Sequence, residues 1–267
     1  MAIYGDTFTF DGISCEDYEL MLYDREGHNR DAHAYGGTVS IIEEKVLSKN
    51  KPLFYGATFD KKLEFQLIFG LNIDRIDANN ALSTDESNDI ASWLIGHTQY
   101  KYLQIDSDDY ANIRFKCIIT GLEEIVYGER AWAMKANVVC DGPYAYRPPT
   151  VSRFVIQGHK TIDLFNSSGC NGYYYPIIEY RPVSGGDLII TNVSDNGRKT
   201  EFVDIPSSVQ RITVNNDTLV ITNNIGINLY DKFNKKSVRL KKGINTIDIS
   251  GNGELIFYCE YPINIAG

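Results

Sequence analysis

The stretch Asp141-Gly142-Pro143-Tyr144-Ala145-Tyr146-Arg147-Pro148-Pro149 decides how this chain is divided. It holds three of the eight prolines. Proline fixes φ and has no N–H to give to a ladder, so a central strand cannot run through it. The stretch predicts a linker near residues 142–152 and a domain on each side, 1–145 and 146–267. A chain of 267 residues can bury a real core in each without disulfides or metals.

Upstream, two segments alternate with strand period. Leu63, Phe65, Leu67 and Phe69 alternate with polar residues, and so do Trp132, Met134, Ala136, Val138 and Cys140. Between them, Ser83 and Glu86 have capping-box spacing. The hydroxyl can accept from one free backbone N–H while the carboxylate reaches back to another. Acids in the first turn suit the positive end of the helix dipole. Ile90, Trp93 and Leu94 then share one face, and Gly96 is a stop, so the spacing predicts a helix over roughly 84–95 with Trp93 packed on a sheet.

Downstream, no helix is expected. Short apolar segments recur every eight to twelve residues: Asp187–Thr191, Glu201–Ile205, Arg211–Val214, Thr218–Thr222, Ile227–Tyr230, Ser237–Leu240, Asn245–Ile249 and Glu254–Cys259. Turn signals separate them, among them Gly185-Gly186, Asp195-Asn196-Gly197, Asn215-Asn216-Asp217 and Gly251-Asn252-Gly253. Even spacing of short strands predicts an antiparallel β-sandwich. The 18 Tyr, 12 Phe and 22 Gly point the same way, since aromatics favour strands and glycines favour tight turns.

The formal net charge is −9, which argues against a nucleic-acid surface or docking on anionic membranes. The densest basic run, Lys235, Lys236, Arg239, Lys241 and Lys242, reads as a solvated hairpin edge guarded by lysines. Cys15, Cys117, Cys140, Cys170 and Cys259 are odd in number and lack C-x-x-C spacing. They read as free, mostly buried thiols of a reducing compartment. With no leader pattern and no run near ~20 apolar residues, the expectation is a protein made and folded in a cytoplasm.

Enzyme motifs are missing: there is no G-x-S-x-G, H-E-x-x-H, phosphate-binding loop or dinucleotide fingerprint. Within Asp24–His33, His28 and His33 lie five apart, which suits neither one helix face nor one strand face, so the cluster reads as a solvated loop. Asp106-Ser107-Asp108-Asp109 begins like a calcium loop, but its sixth and twelfth positions hold Ala111 and Cys117 where Gly and Glu are required. Glu123 and Glu124 are adjacent on a strand and face opposite ways, which excludes them as a glycosidase pair. Asn192-Val193-Ser194 and Asn216-Asp217-Thr218 match the glycosylation pattern without a secretion context. Tyr173-Tyr174-Tyr175 is expected to pack in a core or interface and not to present a sugar platform. No catalytic, cofactor-binding or metal-ligating residue is assigned, and no cofactor is expected.

The opening Phe8-Thr9-Phe10-Asp11-Gly12-Ile13-Ser14-Cys15-Glu16-Asp17-Tyr18-Glu19-Leu20-Met21-Leu22 resembles the start of the distal tail proteins of long-tailed phages that infect Gram-positive bacteria. The helix with Trp93-Leu94, then Tyr100, Leu103 and a strand from Asn112, is similar to the same module, as is Cys140-Asp141-Gly142-Pro143-Tyr144-Ala145-Tyr146. Phe165-Asn166-Ser167, Tyr175-Pro176, Ile190-Thr191-Asn192, Phe233-Asn234, Leu240 and Lys242-Gly243-Ile244-Asn245 recur at spacings similar to the family's second domain. The resemblance implies a mainly β chain. Its N-terminal belt domain would be a β-sandwich or split barrel with one α-helix, followed by a C-terminal galectin-like antiparallel β-sandwich. It implies a structural virion protein without catalytic residues, forming a hexameric ring at the distal end of the tail tube. Partners would be further copies, the tail tube protein, the tail-tip hub protein, and receptor-binding or baseplate proteins. DNA would pass through the opening without specific binding. The alternative is a carbohydrate-binding host-recognition protein of the tail or baseplate. Both tryptophans, Trp93 and Trp132, lie in the first half and His159 is the one histidine of the second, so a galectin-type sugar motif is missing.

Overall fold

The computed structural model describes residues 6–23, 40–59, 61–72, 81–106, 111–170 and 172–265. The chain is mainly β and divides into two compact units, Met1–Arg147 with Ile263–Gly267, and Pro148–Pro262. Ile263 packs against the core of the first unit, and Ile265 is buried in it.

The first unit contains β1 (Thr7–Phe10), β2 (Ile13–Ser14), β3 (Leu20–Leu22), β4 (Ser40–Glu44), β5 (Leu53–Thr58), β6 (Glu64–Leu71), α1 (Thr84–Leu94), β7 (Lys101–Asp106), β8 (Arg114–Tyr127), β9 (Arg130–Cys140) and β10 (Ala145–Tyr146). Its main sheet runs β2-β1-β7-β8-β9-β6-β3. A hydrogen bond from the Leu22 N–H to the Asp6 carbonyl (3.0 Å) brings β3, the last strand of the path, back beside the start of β1, so the sheet curls around its core. Phe65, Leu67 and Phe69 alternate inward from β6, as expected from their spacing.

The helix carries the capping box read from the sequence: the Ser83 hydroxyl accepts from the Glu86 N–H, and the Glu86 carboxylate accepts from the Ser83 N–H. Its buried face is Ile90, Trp93 and Leu94. Trp93 lies between the rings of Tyr18 (4.8 Å) and Phe8 (5.5 Å), nearly parallel to both, and its indole N–H donates to the Phe10 carbonyl at 3.1 Å. Trp132 departs from the expected alternation. It is 39% exposed, while Met134, Ala136, Val138 and Cys140 are buried. The β8–β9 register shifts between Ile125↔Ala133 and Val126↔Ala131, and Trp132 is the extra residue. A bulge of this kind reverses the facing of everything on one side of it.

The second unit contains β11 (Thr150–Asn166), β12 (Ile177–Pro182), β13 (Gly186–Asn192), β14 (Arg198–Ile205), β15 (Ile212–Asn215), β16 (Val220–Asn223) and β17 (Gly243–Cys259), followed by β18 (Pro262–Ile263) at the boundary. Two corrections follow. The expected turn Gly251-Asn252-Gly253 lies inside β17, which is one strand of 17 residues and not two short ones. It pairs along its full length with β11, another 17-residue strand, which begins inside the expected linker. The opposite edge of β17 carries β13 over Ile247–Ser250 and β12 over Gly253–Tyr258. The β13–β14 wing and the β12–β15–β16 wing bury Leu188, Ile190, Phe202, Ile178, Ile212 and Val214 in one core.

The remaining expected strands, Ile227–Tyr230 and Ser237–Leu240, are not strands. The first leads into a single turn of 3-10 helix, Tyr230–Lys232. The second is irregular apart from one bridge between Leu240 and Tyr174. Buried asparagines supply the backbone partners that a ladder would have given. Asn216 accepts from the Val238 N–H (2.7 Å), and Asn192 donates to the Arg239 carbonyl (2.7 Å). Asn166 donates to the Leu240 carbonyl (3.2 Å), and Asn245 bonds both the N–H and carbonyl of Lys241. All four side chains are almost wholly buried, where an unpaired backbone group would be costly.

Candidate assembly interface

β4 and β5 form a two-stranded sheet of their own, with register Ser40↔Thr58, Ile41↔Ala57, Ile42↔Gly56, Glu43↔Phe54 and Glu44↔Leu53. A bulge after Ile42 sets Tyr55 against no direct partner, and its hydroxyl donates to the Glu44 carboxylate (3.2 Å). Every residue of β4 is exposed, so neither face is covered among the described residues. Ile41 is 64% exposed, Phe54 68%, Tyr55 60%, and Leu47 in the connecting turn 94%. An isolated two-stranded hairpin is marginal in water, and apolar side chains on both faces add a cost that only a partner surface removes. Below the hairpin, Phe59 packs its ring on Tyr144 at 5.5 Å. The hairpin leaves no signal in the sequence because its strands carry no clean alternation: with neither face in the core, nothing imposes one.

The titratable residues singled out in the sequence are scattered. His28 and His33 lie outside the described residues, as do 107–110. Asp106 accepts from the Thr7 hydroxyl (3.0 Å). Glu123 pairs with Lys135 across the β8–β9 ladder (2.9 Å). His97 bonds the Trp93 carbonyl at the end of α1, and His159 is exposed on β11. Asn192 and Asn216 are buried in the networks above, so a glycan could not reach them in the folded chain. Among the described residues, no group of three or more His, Cys, Asp or Glu side chains is arranged to hold a metal. Cys15, Cys117, Cys140 and Cys259 are buried free thiols, and burial pushes Cys140 up to about 12.

The basic run is not a hairpin edge. Arg239 stacks on the Tyr173 ring (3.7 Å) and grips the buried Asp195 at 2.6 Å, while the Tyr173 hydroxyl donates to the same carboxylate at 3.0 Å. Burial opposes the Asp195 charge. The hydrogen bonds from Arg239 and Tyr173 and the charges of Arg239 and Lys241 outweigh it and hold the carboxyl below its ordinary value.

Two family models match, one described as a phage tail protein N-terminal domain over residues 3–142 and one as a phage tail C-terminal domain over 144–259. The chain belongs to the phage tail proteins. No curated protein matches it in sequence. Among solved structures, this phage tail protein is similar to SPP1 Dit, described as a paradigm of the hub adsorption apparatus in phages infecting Gram-positive bacteria. The two share 11% identity and superpose with a TM-score of 0.66, over 96% of this chain and 98% of the other, so the fold is Dit-like. A component of the phage P2 baseplate in its activated conformation with Ca is more distant, at 11% identity, the same coverage and a TM-score of 0.49.

Proposed function

We propose that this phage tail protein is a structural part that closes into a ring, six copies in all, at the distal end of the tail tube. The hairpin β4–β5 carries the reading. It is an apolar surface with no cover among the described residues, and its place in the first unit suits a contact between neighbouring copies. The Dit-like fold supports a hub role between the tube protein, the tail-tip hub protein and receptor-binding or baseplate proteins. The second unit, proposed as galectin-like, would carry those outer partners. DNA would pass through the opening.

Light scattering on the purified full chain tests this. The expected mass is six times the 30.1 kDa chain, about 180 kDa. The double variant Ile41→Ser, Phe54→Ser is expected to be monomeric with an unchanged denaturant midpoint, because neither side chain belongs to a core. A monomeric wild type, or a variant that assembles like the wild type, overturns the proposal.

A further inference from the structure

The lysines of the second unit need another explanation than edge protection. β14 ends its sheet path, but that edge is already covered: the Asn234 N–H donates to the Glu201 carbonyl (3.0 Å), its side chain to the Lys199 carbonyl (3.1 Å), and Phe233 stacks on Phe202 (4.6 Å). Covered edges need no lysine guard. Charge is also unevenly divided. The first unit has 14 Lys and Arg against 24 Asp and Glu, the second 12 against 11. Eight of those twelve cations lie in two short segments, Arg198 and Lys199, and Lys232, Lys235, Lys236, Arg239, Lys241 and Lys242. The bonds from Asn234, and one from Arg198 Nε to the Ser237 carbonyl (3.1 Å), hold the segments together. Among the described residues, the ion pairs of this group go to Asp195 alone, through Arg239 and Lys241. Lys199, Lys235, Lys236 and Lys242 are exposed.

We propose that this edge is a docking site for a linear polyanion of repeating phosphates. The buried asparagines fix the backbone of residues 238–241, and the bonds from Asn234 and Arg198 tie the two cationic segments to one edge, so a polyanion can meet several ammonium groups at once. Both arginines are engaged within the fold, which leaves ammonium groups that act as point charges towards phosphate. Within the two segments the one aromatic side chain, Phe233, is buried on Phe202. Beside them Tyr173 is covered by Arg239 and Tyr230 is tied through its hydroxyl to the Leu219 carbonyl, so the edge presents charge and no cluster of aromatic anchors or stacking platforms.

The probe is long-chain inorganic polyphosphate, titrated into the full chain at about 50 mM and about 300 mM salt. Saturable binding is expected, weakening steeply with salt through release of condensed counterions. The variant Lys199→Gln, Lys235→Gln, Lys236→Gln, Lys242→Gln should bind about tenfold more weakly or worse, with a shallower salt slope. The same four positions changed to Arg should keep the affinity. Lys45→Gln, Lys49→Gln, Lys51→Gln, a second lysine cluster in the β4–β5 turn, should keep it too. The proposal falls if no saturable binding occurs, if the quadruple Gln variant loses less than about threefold, or if the turn variant loses as much. It also falls if a single-stranded oligonucleotide binds about tenfold tighter per phosphate, which makes the edge a nucleic-acid site, or if the quadruple variant changes only the oligomeric state, which makes it a contact between copies.

Discussion

Trp93 shows how much one side chain can settle. It is 6% exposed, is flanked by Tyr18 and Phe8, and satisfies the Phe10 carbonyl. Truncation would leave a cavity between two rings and a backbone acceptor without its donor. Trp93→Ala is expected to destabilise the first unit by about 3–5 kcal/mol, the range for removing a buried large aromatic. Urea denaturation followed by far-UV circular dichroism would show it as a lower midpoint. An unchanged midpoint with lost assembly would instead make Trp93 an anchor for a neighbouring copy. Trp132, a residue of the same type, is exposed because it is itself the extra residue of the bulge that precedes the inward-facing run Met134, Ala136, Val138 and Cys140.

At the scale of elements, β17 organises the second unit. Its inward positions keep one phase through the glycines: Ile247, Ile249, Gly251, Gly253, Leu255, Phe257. Gly253 is there because nothing larger fits. A Cβ would stand 2.3 Å from the Arg181 carbonyl oxygen, 2.9 Å from Pro182 Cα and 2.9 Å from the Tyr180 ring. Two of these are backbone atoms, which cannot swing aside. Gly253→Ala is therefore expected to cost about 2–3 kcal/mol, the upper part of the usual overpacking range. Chemical denaturation of the full chain would register it as a lower midpoint for the second unit. A midpoint equal to wild type would show that β12 moves away from β17 freely. Opposite Gly251, Gly158 takes φ +81, so the β11–β17 ribbon has its least restricted residues at the same level, where β17 passes from β13 to β12.

For the whole molecule the controlling quantity is charge. The excess of ten acids in the first unit means that neighbouring copies joined through that unit would repel one another. Screening shortens that repulsion, from a Debye length of roughly 30 Å at 0.01 M salt to about 8 Å at 0.15 M, and leaves apolar burial in the hairpin largely untouched. Assembly is therefore expected to strengthen as salt rises from about 10 to about 200 mM, read as a lower concentration for half-assembly in light scattering. Weaker assembly at higher salt would mean that opposite charges, and not the apolar hairpin, hold the copies together.

Local rules were enough for much of this protein. The capping box of Ser83 and Glu86, the inward stripe Ile90-Trp93-Leu94 and the alternation of β6 depend on neighbours within a few residues, and all were legible in the sequence. So was the membership in a phage tail family, through the order and spacing of loose motifs. The Gly251-Asn252-Gly253 segment reads as a turn because Asn-Gly is a strong local hairpin signal, but pairing with β11 and β12 and packing under Tyr180 keep it extended. Segment 237–241 looked like a strand from its composition, yet its backbone is claimed by four asparagines spread from residue 166 to 245. The asparagines are unremarkable as local signals, since Asn marks turns and loops far more often than a buried backbone clamp. The two 17-residue strands, the bulge before Met134 and the buried node at Asp195 are likewise settled by contacts between residues distant in sequence, which local periodicity does not encode.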